Sequence, residues 1–176
     1  WGWAHAGNTP FRRWKRETYR GGTSDPFLIC WPNGIAARGE IRQHYGHAID
    51  LVPTVLDALG LEAPTTIRGV SQSPIEGVSL AACFADESAP SRHQTQYFEM
   101  IGHRSLYHDG WRAVCPWPGP SFVESGRRFG DPIDEARLRQ LDEHGWELYH
   151  VAEDFAETNN LAARESERLD AMINQW

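Results

Sequence analysis

The chain has 176 residues, 40% apolar and 23% charged, which is enough for one domain with a substantial core and unlike a disordered tail. A net charge of −7, from 24 acidic against 17 basic side chains, argues against a nucleic-acid partner, because backbone binding needs a basic face. The longest apolar stretches, Phe27 to Trp31 and Val78 to Phe84, are too short to span a bilayer, and no basic-then-apolar leader opens the chain. A soluble protein without a membrane partner is expected. The opening Trp1-Gly2-Trp3, without an initiator Met, reads as cut from something longer.

In chain order, the first predicted element is Phe27-Leu28-Ile29-Cys30-Trp31, an apolar run bracketed by Pro26 and Pro32. Lacking alternation, it predicts a strand buried on both faces, as in a parallel sheet covered by helices. Asp50 to Gly60 predicts a helix, with Asp50 as N-cap, Pro53 in the first turn and Gly60 as the stop. Leu51, Val52, Val55, Leu56 and Leu59 give that helix a wide apolar face. Residues 63–74 read as a Pro/Ser/Thr-rich connection, and Val78 to Phe84 as a short helical stretch.

Beyond residue 95 the pattern alternates aromatic with polar. Gln96 to Ile101, Arg104 to Tyr107, Trp111 to Cys115 and Trp146 to Val151 predict an antiparallel sheet of about four strands. Asp109-Gly110 is a strong two-residue hairpin signal between two of them. Pro116 to Asp131 reads as a loop and Pro132 to His144 as helical. Leu169, Met172, Ile173 and Trp176 recur at i, i+3, i+4, i+7 and predict an amphipathic carboxy-terminal helix. Three cysteines, Cys30, Cys83 and Cys115, are widely spaced and odd in number, so they suit free thiols and a cytoplasmic location better than a disulfide framework.

Thr9 through Pro26, with Lys15 standing six residues before Gly21-Gly22, resembles the pattern of the type I sulfatases, within the alkaline-phosphatase-like superfamily. It looks most like the large bacterial arylsulfatases. The resemblance continues through His47-Ala48-Ile49-Asp50-Leu51-Val52-Pro53-Thr54-Val55-Leu56, through Arg104 to Arg112, Trp146 to His150, and Glu157-Thr158-Asn159-Asn160-Leu161-Ala162. It therefore covers nearly the whole chain in order. The fold it implies is α/β: the last strand-helix unit of a main sheet, then a small antiparallel sheet with a carboxy-terminal helix. The corresponding division is 1–62 for the end of a catalytic domain, 63–95 for a connecting segment and 96–176 for the small-sheet subdomain.

By the same resemblance, the full-length family uses a formylglycine, made from a Cys or Ser in a C/S-x-P/A-x-R signature, and usually calcium held by oxygen ligands. No such signature occurs here, and neither Asp-Asp nor Asp-Asn pairs occur, so no cofactor is expected to bind this segment alone. The resemblance sets Lys15 as the catalytic residue, a cation against the sulfate group and the leaving-group oxygen. It leaves His47 as a substrate-edge residue. Gly21 and Gly22 are expected to shape the turn into the following strand through positive φ.

The expected function is the carboxy-terminal part of an enzyme hydrolysing sulfate monoesters to an alcohol or phenol and sulfate, inactive in isolation. The rivals are a phosphonate monoester or phosphodiester hydrolase of the same superfamily and a non-catalytic interaction module. The partners expected are the sulfate ester in the intact enzyme and, for the apolar strand, either the remainder of a longer sulfatase chain or a second copy.

Overall fold

The computed structural model describes residues 2–36, 38–117 and 132–176. The predicted loop Pro116 to Asp131 lies outside them from residue 118 onward, as does Trp1. The described residues form two compact units, one of residues 2–26 with 95–117 and 132–176, the other of residues 27–36 and 38–94. In the first, the opening segment packs with the small sheet.

The first unit begins with two short helices, α1 (Gly2–Gly7) and α2 (Arg20–Thr23). Its centre is a four-stranded antiparallel sheet in the order β3 (Thr95–Met100), β4 (His103–His108), β5 (Trp111–Cys115), β6 (Glu147–His150). Two-residue turns join β3 to β4 at Ile101-Gly102 and β4 to β5 at Asp109-Gly110, with positive φ at all four positions. Such mirror-image turns match the right-handed twist of the strands they join, which is why Asp-Gly signalled the second hairpin. The helix α5 (Glu135–His144) is inserted between β5 and β6, and α6 (Ser166–Gln175) ends the chain. These are the strands and helices that the alternation and the i, i+3, i+4, i+7 pattern predicted.

Alternation divides the sheet into two covered faces. Leu106, Ala113, Cys115 and Leu148 point to one side and pack with Leu141 and Trp146 near α5 and with Leu169 and Met172 of α6. Arg104 is held there at the edge, its guanidinium 2.7 Å from Asp142 and lying over the rings of Trp146 and Trp176. On the opposite face, Ser105 of β4, Val114 of β5 and Glu147 of β6 stand in one cross-strand row. Tyr107, Arg112 and Tyr149 form the next row. That face is covered by the opening segment: Tyr19 packs on Val114 and Tyr149.

In the second unit, a 3-10 turn (Ala48–Asp50) leads into α3 (Leu51–Leu59), and Gly60 closes it at φ 65 with Leu61 N donating to the Leu56 carbonyl at 2.9 Å. The predicted helix is present with its predicted stop. Asp50 works differently from a forward cap, since its carboxylate reaches back to the His47 amide at 2.8 Å and across to the Val78 amide at 2.8 Å. His93 Nδ1 lies 2.7 Å from the same carboxylate, which is fully buried. Thr54 continues the tie, donating to the Asp50 carbonyl at 2.6 Å and accepting from the Leu80 amide at 2.9 Å. The supposed connection 63–74 contains a small hairpin, β1 (Thr66–Ile67) with β2 (Val70–Ser71), turned by Arg68-Gly69 at positive φ. Of the stretch 78–84, only α4 (Ala82–Ala85) is α-helical.

The expected buried strand at Phe27 to Trp31 is not formed. These residues carry no ladder, and Phe27 is 56% and Leu28 87% exposed. A strand is defined by its partner, and none of the described strands pairs with this segment. The apolar face of α3 is uncovered likewise, with Leu51, Val52, Val55 and Leu59 all exposed.

The first unit depends on a buried ion pair. Arg112 and Glu157 are 3% and 0% exposed, with Nη1 and Oε1 3.4 Å apart. Removing one member of such a pair leaves an uncompensated buried charge, so Glu157→Ala is expected to cost about 3–5 kcal/mol, measured as a lowered urea midpoint.

Candidate active-site turn

Lys15 lies in a turn that the opening segment folds against the sheet, and three sets of interactions hold that turn closed. Asn8 spans its base, its side-chain Nδ2 donating to the carbonyls of Arg13 at 2.8 Å and Gly21 at 2.6 Å. The Gly21 amide donates to the Arg12 carbonyl at 3.1 Å and the Glu17 amide to that of Trp14 at 3.2 Å. A Cβ at Gly21 would meet the Arg12 carbonyl oxygen at 2.1 Å, and one at Gly22 would meet that of Glu17 at 1.9 Å. Both glycines are therefore required for close backbone approach. Neither is among the positive-φ residues, so their expected role in the turn stands on a different physical reason.

The second set anchors the turn to the sheet. Arg112 donates to the Thr18 carbonyl, to Ser105 Oγ at 2.9 Å and to Thr23 Oγ1 at 3.1 Å. Glu157 accepts the Arg20 amide at 2.7 Å, and Thr18 Oγ1 donates to the Arg104 carbonyl at 3.1 Å. Burial pushes the Glu157 carboxyl upward, while Arg112 and the Arg20 amide oppose that shift. The third set is a fan of groups on one carboxylate oxygen. The hydroxyls of Tyr19 and Tyr149 both donate to Glu147 Oε2, at 2.7 and 2.6 Å, and Arg12 Nη1 donates to the Tyr149 oxygen at 2.8 Å. Burial beside Glu147 raises both phenols, so they stay protonated donors. Arg12 also donates to the Glu157 carbonyl at 2.9 Å, joining the two networks.

Lys15 itself is exposed and makes no hydrogen bond or ion pair among the described residues. It is flanked by Arg13 at φ 63 and Arg16 at φ 98, conformations that side-chain-bearing residues seldom adopt and that concentrate at functional sites. Glu17, 5% exposed, lies 3.5 Å from Arg13 Nε. His47 belongs to the other unit. It is half-buried and heads the 3-10 turn, its Nδ1 accepting from the Ile49 amide at 3.4 Å while its own amide donates to Asp50. Burial and the neighbouring His93 hold its imidazole below the usual range. The described residues contain no group of three or more His, Cys, Asp or Glu able to hold a metal. The three buried carboxylates, Glu17, Asp50 and Glu157, are already taken up by Arg13, by amides and His93, and by Arg112 and an amide, so the described donor set does not fit a calcium cage.

Sequence reasoning singled out Lys15 and the paired glycines. It missed the roles of Asn8, Arg112, Glu157 and the Asp50–His93 pair; the partners of the last three lie far away in sequence, 137 residues for Arg20 and Glu157 and 43 for Asp50 and His93. Asp50 was marked as a helix cap and within the His47 motif, and Arg112 and Glu157 by the motifs Arg104 to Arg112 and Glu157 to Ala162.

The comparisons with known proteins follow the same outline. Residues 4–61 match the family model described as Sulfatase. The chain is 28% identical to N-sulphoglucosamine sulphohydrolase of Homo sapiens, covering 95% of this chain and 39% of that protein. It is 24% identical to a sulfatase of Formosa agariphila, covering 89% and 26%. Among solved structures it is similar to Ps i-CgsB, with a TM-score of 0.66 at 18% identity over 96% of this chain and 31% of that one. A Bacteroides thetaiotaomicron structure from a glycosaminoglycan locus, BT33336S-sulf, gives 0.61 at 17% identity, over 94% and 31%. Over residues 4–61 the chain is thus similar to the sulfatase family, and the curated proteins it resembles are sulfatases. It spans well under half the length of the curated relatives it matches.

The sheet face that carries this turn has a pH-sensitive member. His103 of β4 is 3% exposed, and burial together with the Arg16 and Arg13 charges pushes its imidazole down to about 4. A group whose folded pKa lies below its unfolded value of about 6.5 binds more protons when unfolded across that interval. Its contribution is complete above about pH 6.5 and is lost as pH falls toward 4. A loss of roughly 3 kcal/mol over that window is expected in denaturant unfolding, absent from His103→Gln.

Proposed function

We propose that this chain is the carboxy-terminal part of an enzyme that hydrolyses sulfate monoesters to an alcohol or phenol and sulfate, and that Lys15 is its catalytic contribution. The observation that carries the reading is an exposed lysine on a closed, strained turn inside the segment that matches the sulfatase family. A cation fixed by surrounding structure offsets charge building on the leaving-group oxygen as the S–O bond breaks, without the reorganisation that a mobile side chain would need. His47 is assigned to the substrate edge in the same reading, its ring orientation set by the turn it heads. Formylglycine as the nucleophile, and calcium, are assigned to the remainder of the enzyme, since the described donors here do not fit the ion. The division at residues 62 and 95 is carried forward as a division of that whole enzyme. The described cysteines are all free thiols, which favours a cytoplasmic enzyme. Among the described residues, no helix is long and apolar enough to cross a membrane.

The uncovered apolar residues of the second unit support the same assignment. Phe27, Leu28 and Ile29 and the face of α3 are assigned to contacts with the remaining sulfatase chain, the alternative occupant being a second copy of this one.

Three outcomes are expected. The isolated 176-residue chain turns over no aryl sulfate, with or without added calcium; measurable turnover would refute its dependence on other parts. In the full-length enzyme, Lys15→Ala lowers aryl sulfate hydrolysis by about 100- to 1,000-fold, as for loss of one charge-stabilising donor. An unchanged rate assigns Lys15 to the solvated surface, and preference for a phosphonate monoester over an aryl sulfate replaces the reaction. Amide exchange of residues 27–31 and 51–59 is fast in the isolated chain and slow in the full-length enzyme.

A further inference from the structure

The start of β4 carries a buried histidine that neither the sulfatase resemblance nor the anchoring network employs. His103 Nδ1 accepts the Trp117 amide at 3.1 Å. A neutral imidazole has one donor and one acceptor nitrogen, so this bond places the proton on Nε2 and makes that atom a donor. By alternation His103 faces the same side of the sheet as Ser105, the side that the Lys15 segment covers. The chain just after the turn is pinned to its two successors: Thr18 Oγ1 donates to the Arg104 carbonyl at 3.1 Å, and Ser105 Oγ donates to the Thr18 carbonyl at 3.3 Å. Arg16 stands two residues before the pinned Thr18, which brings the turn to the start of β4. Burial and the Arg16 and Arg13 charges lower the His103 imidazole, and Glu99, whose carboxylate accepts the Gly102 amide at 2.7 Å, opposes them. Arg13 and Arg16 hold positive φ, which persists only where the surroundings impose it.

We propose that His103 is a positioning residue for Lys15: its buried imidazole braces the turn Arg13–Arg16, so that the Lys15 ammonium is presented in one place. The proposal rests on the action of Lys15 on a sulfate ester given above. Rigidity is the gain, because a charge-stabilising donor works only when its place is set before the reaction.

The test uses the full-length protein with His103→Ala and His103→Gln, the second retaining a neutral donor and acceptor of similar reach. Native-state trypsin cleavage after Lys15 and Arg16 is expected to accelerate in His103→Ala and to stay near the parent rate in His103→Gln. With aryl sulfate, His103→Ala is expected to lower kcat by about 10- to 100-fold with little change in KM, as for a misplaced catalytic group. His103→Gln recovers most of that loss. The double variant His103→Ala/Lys15→Ala is no slower than Lys15→Ala alone, because a residue that acts through another loses its effect when that other is gone. Parental cleavage and kcat in His103→Ala overturn the proposal, as do losses that multiply in the double variant or a folded His103→Gln that fails as badly as His103→Ala. If the parent enzyme hydrolyses no sulfate ester, the functional reading falls by itself, and the proteolysis arm still decides whether His103 braces the turn.

Discussion

The Arg112–Glu157 pair is the interaction on which the first unit depends. Two opposite charges with almost no solvent exposure are costly unless their remaining hydrogen-bonding capacity is met. Here it is met largely by the opening segment: the carbonyl of Thr18 and the hydroxyl of Thr23 take up Arg112, and the amide of Arg20 takes up Glu157. The pair cannot be satisfied by the sheet alone. The Lys15 turn and the four-stranded sheet are consequently one energetic unit, although β5 and Glu157 are separated from the turn by most of the chain.

The sheet lends its two faces to different tasks. One face, through Leu106, Ala113, Cys115 and Leu148, supplies the apolar core under α5 and α6. The other carries Ser105, Arg112, Glu147, Tyr149 and His103, polar groups that would be expensive to bury unpaired. Ser105, Arg112 and Tyr149 are buried with partners that the opening segment brings, and that segment is held because they are there. The second unit shows the same logic around Asp50, where two amides and His93 converge on one carboxylate. Its apolar side chains have no such closure within the described residues.

Periodicity made the small sheet legible, because each strand alternates on its own and Asp109-Gly110 announces its hairpin locally. The carboxy-terminal helix was legible for the same reason. The strand at Phe27 to Trp31 was not a reliable reading, since hydrophobicity records a tendency to be buried while a ladder needs a second strand. Gly21 and Gly22 were read as turn formers, which they are, but the sequence could not distinguish positive φ from close approach. The hairpin at Arg68-Gly69 escaped notice because two-residue strands carry no period.

The amino-acid sequence by itself determined the likeness to sulfatases, the α/β class and the strands and helices whose signals are local, and it singled out Lys15 only as a candidate. Only the tertiary structure decided that Asn8 closes the base of the Lys15 turn, that Glu157 and Arg112 anchor it, and that His103 is buried on the sheet face that the turn segment covers. Local patterns follow from backbone geometry within a few residues, whereas a buried polar group acquires its meaning from whichever distant group satisfies it, and that pairing exists only once the chain has folded.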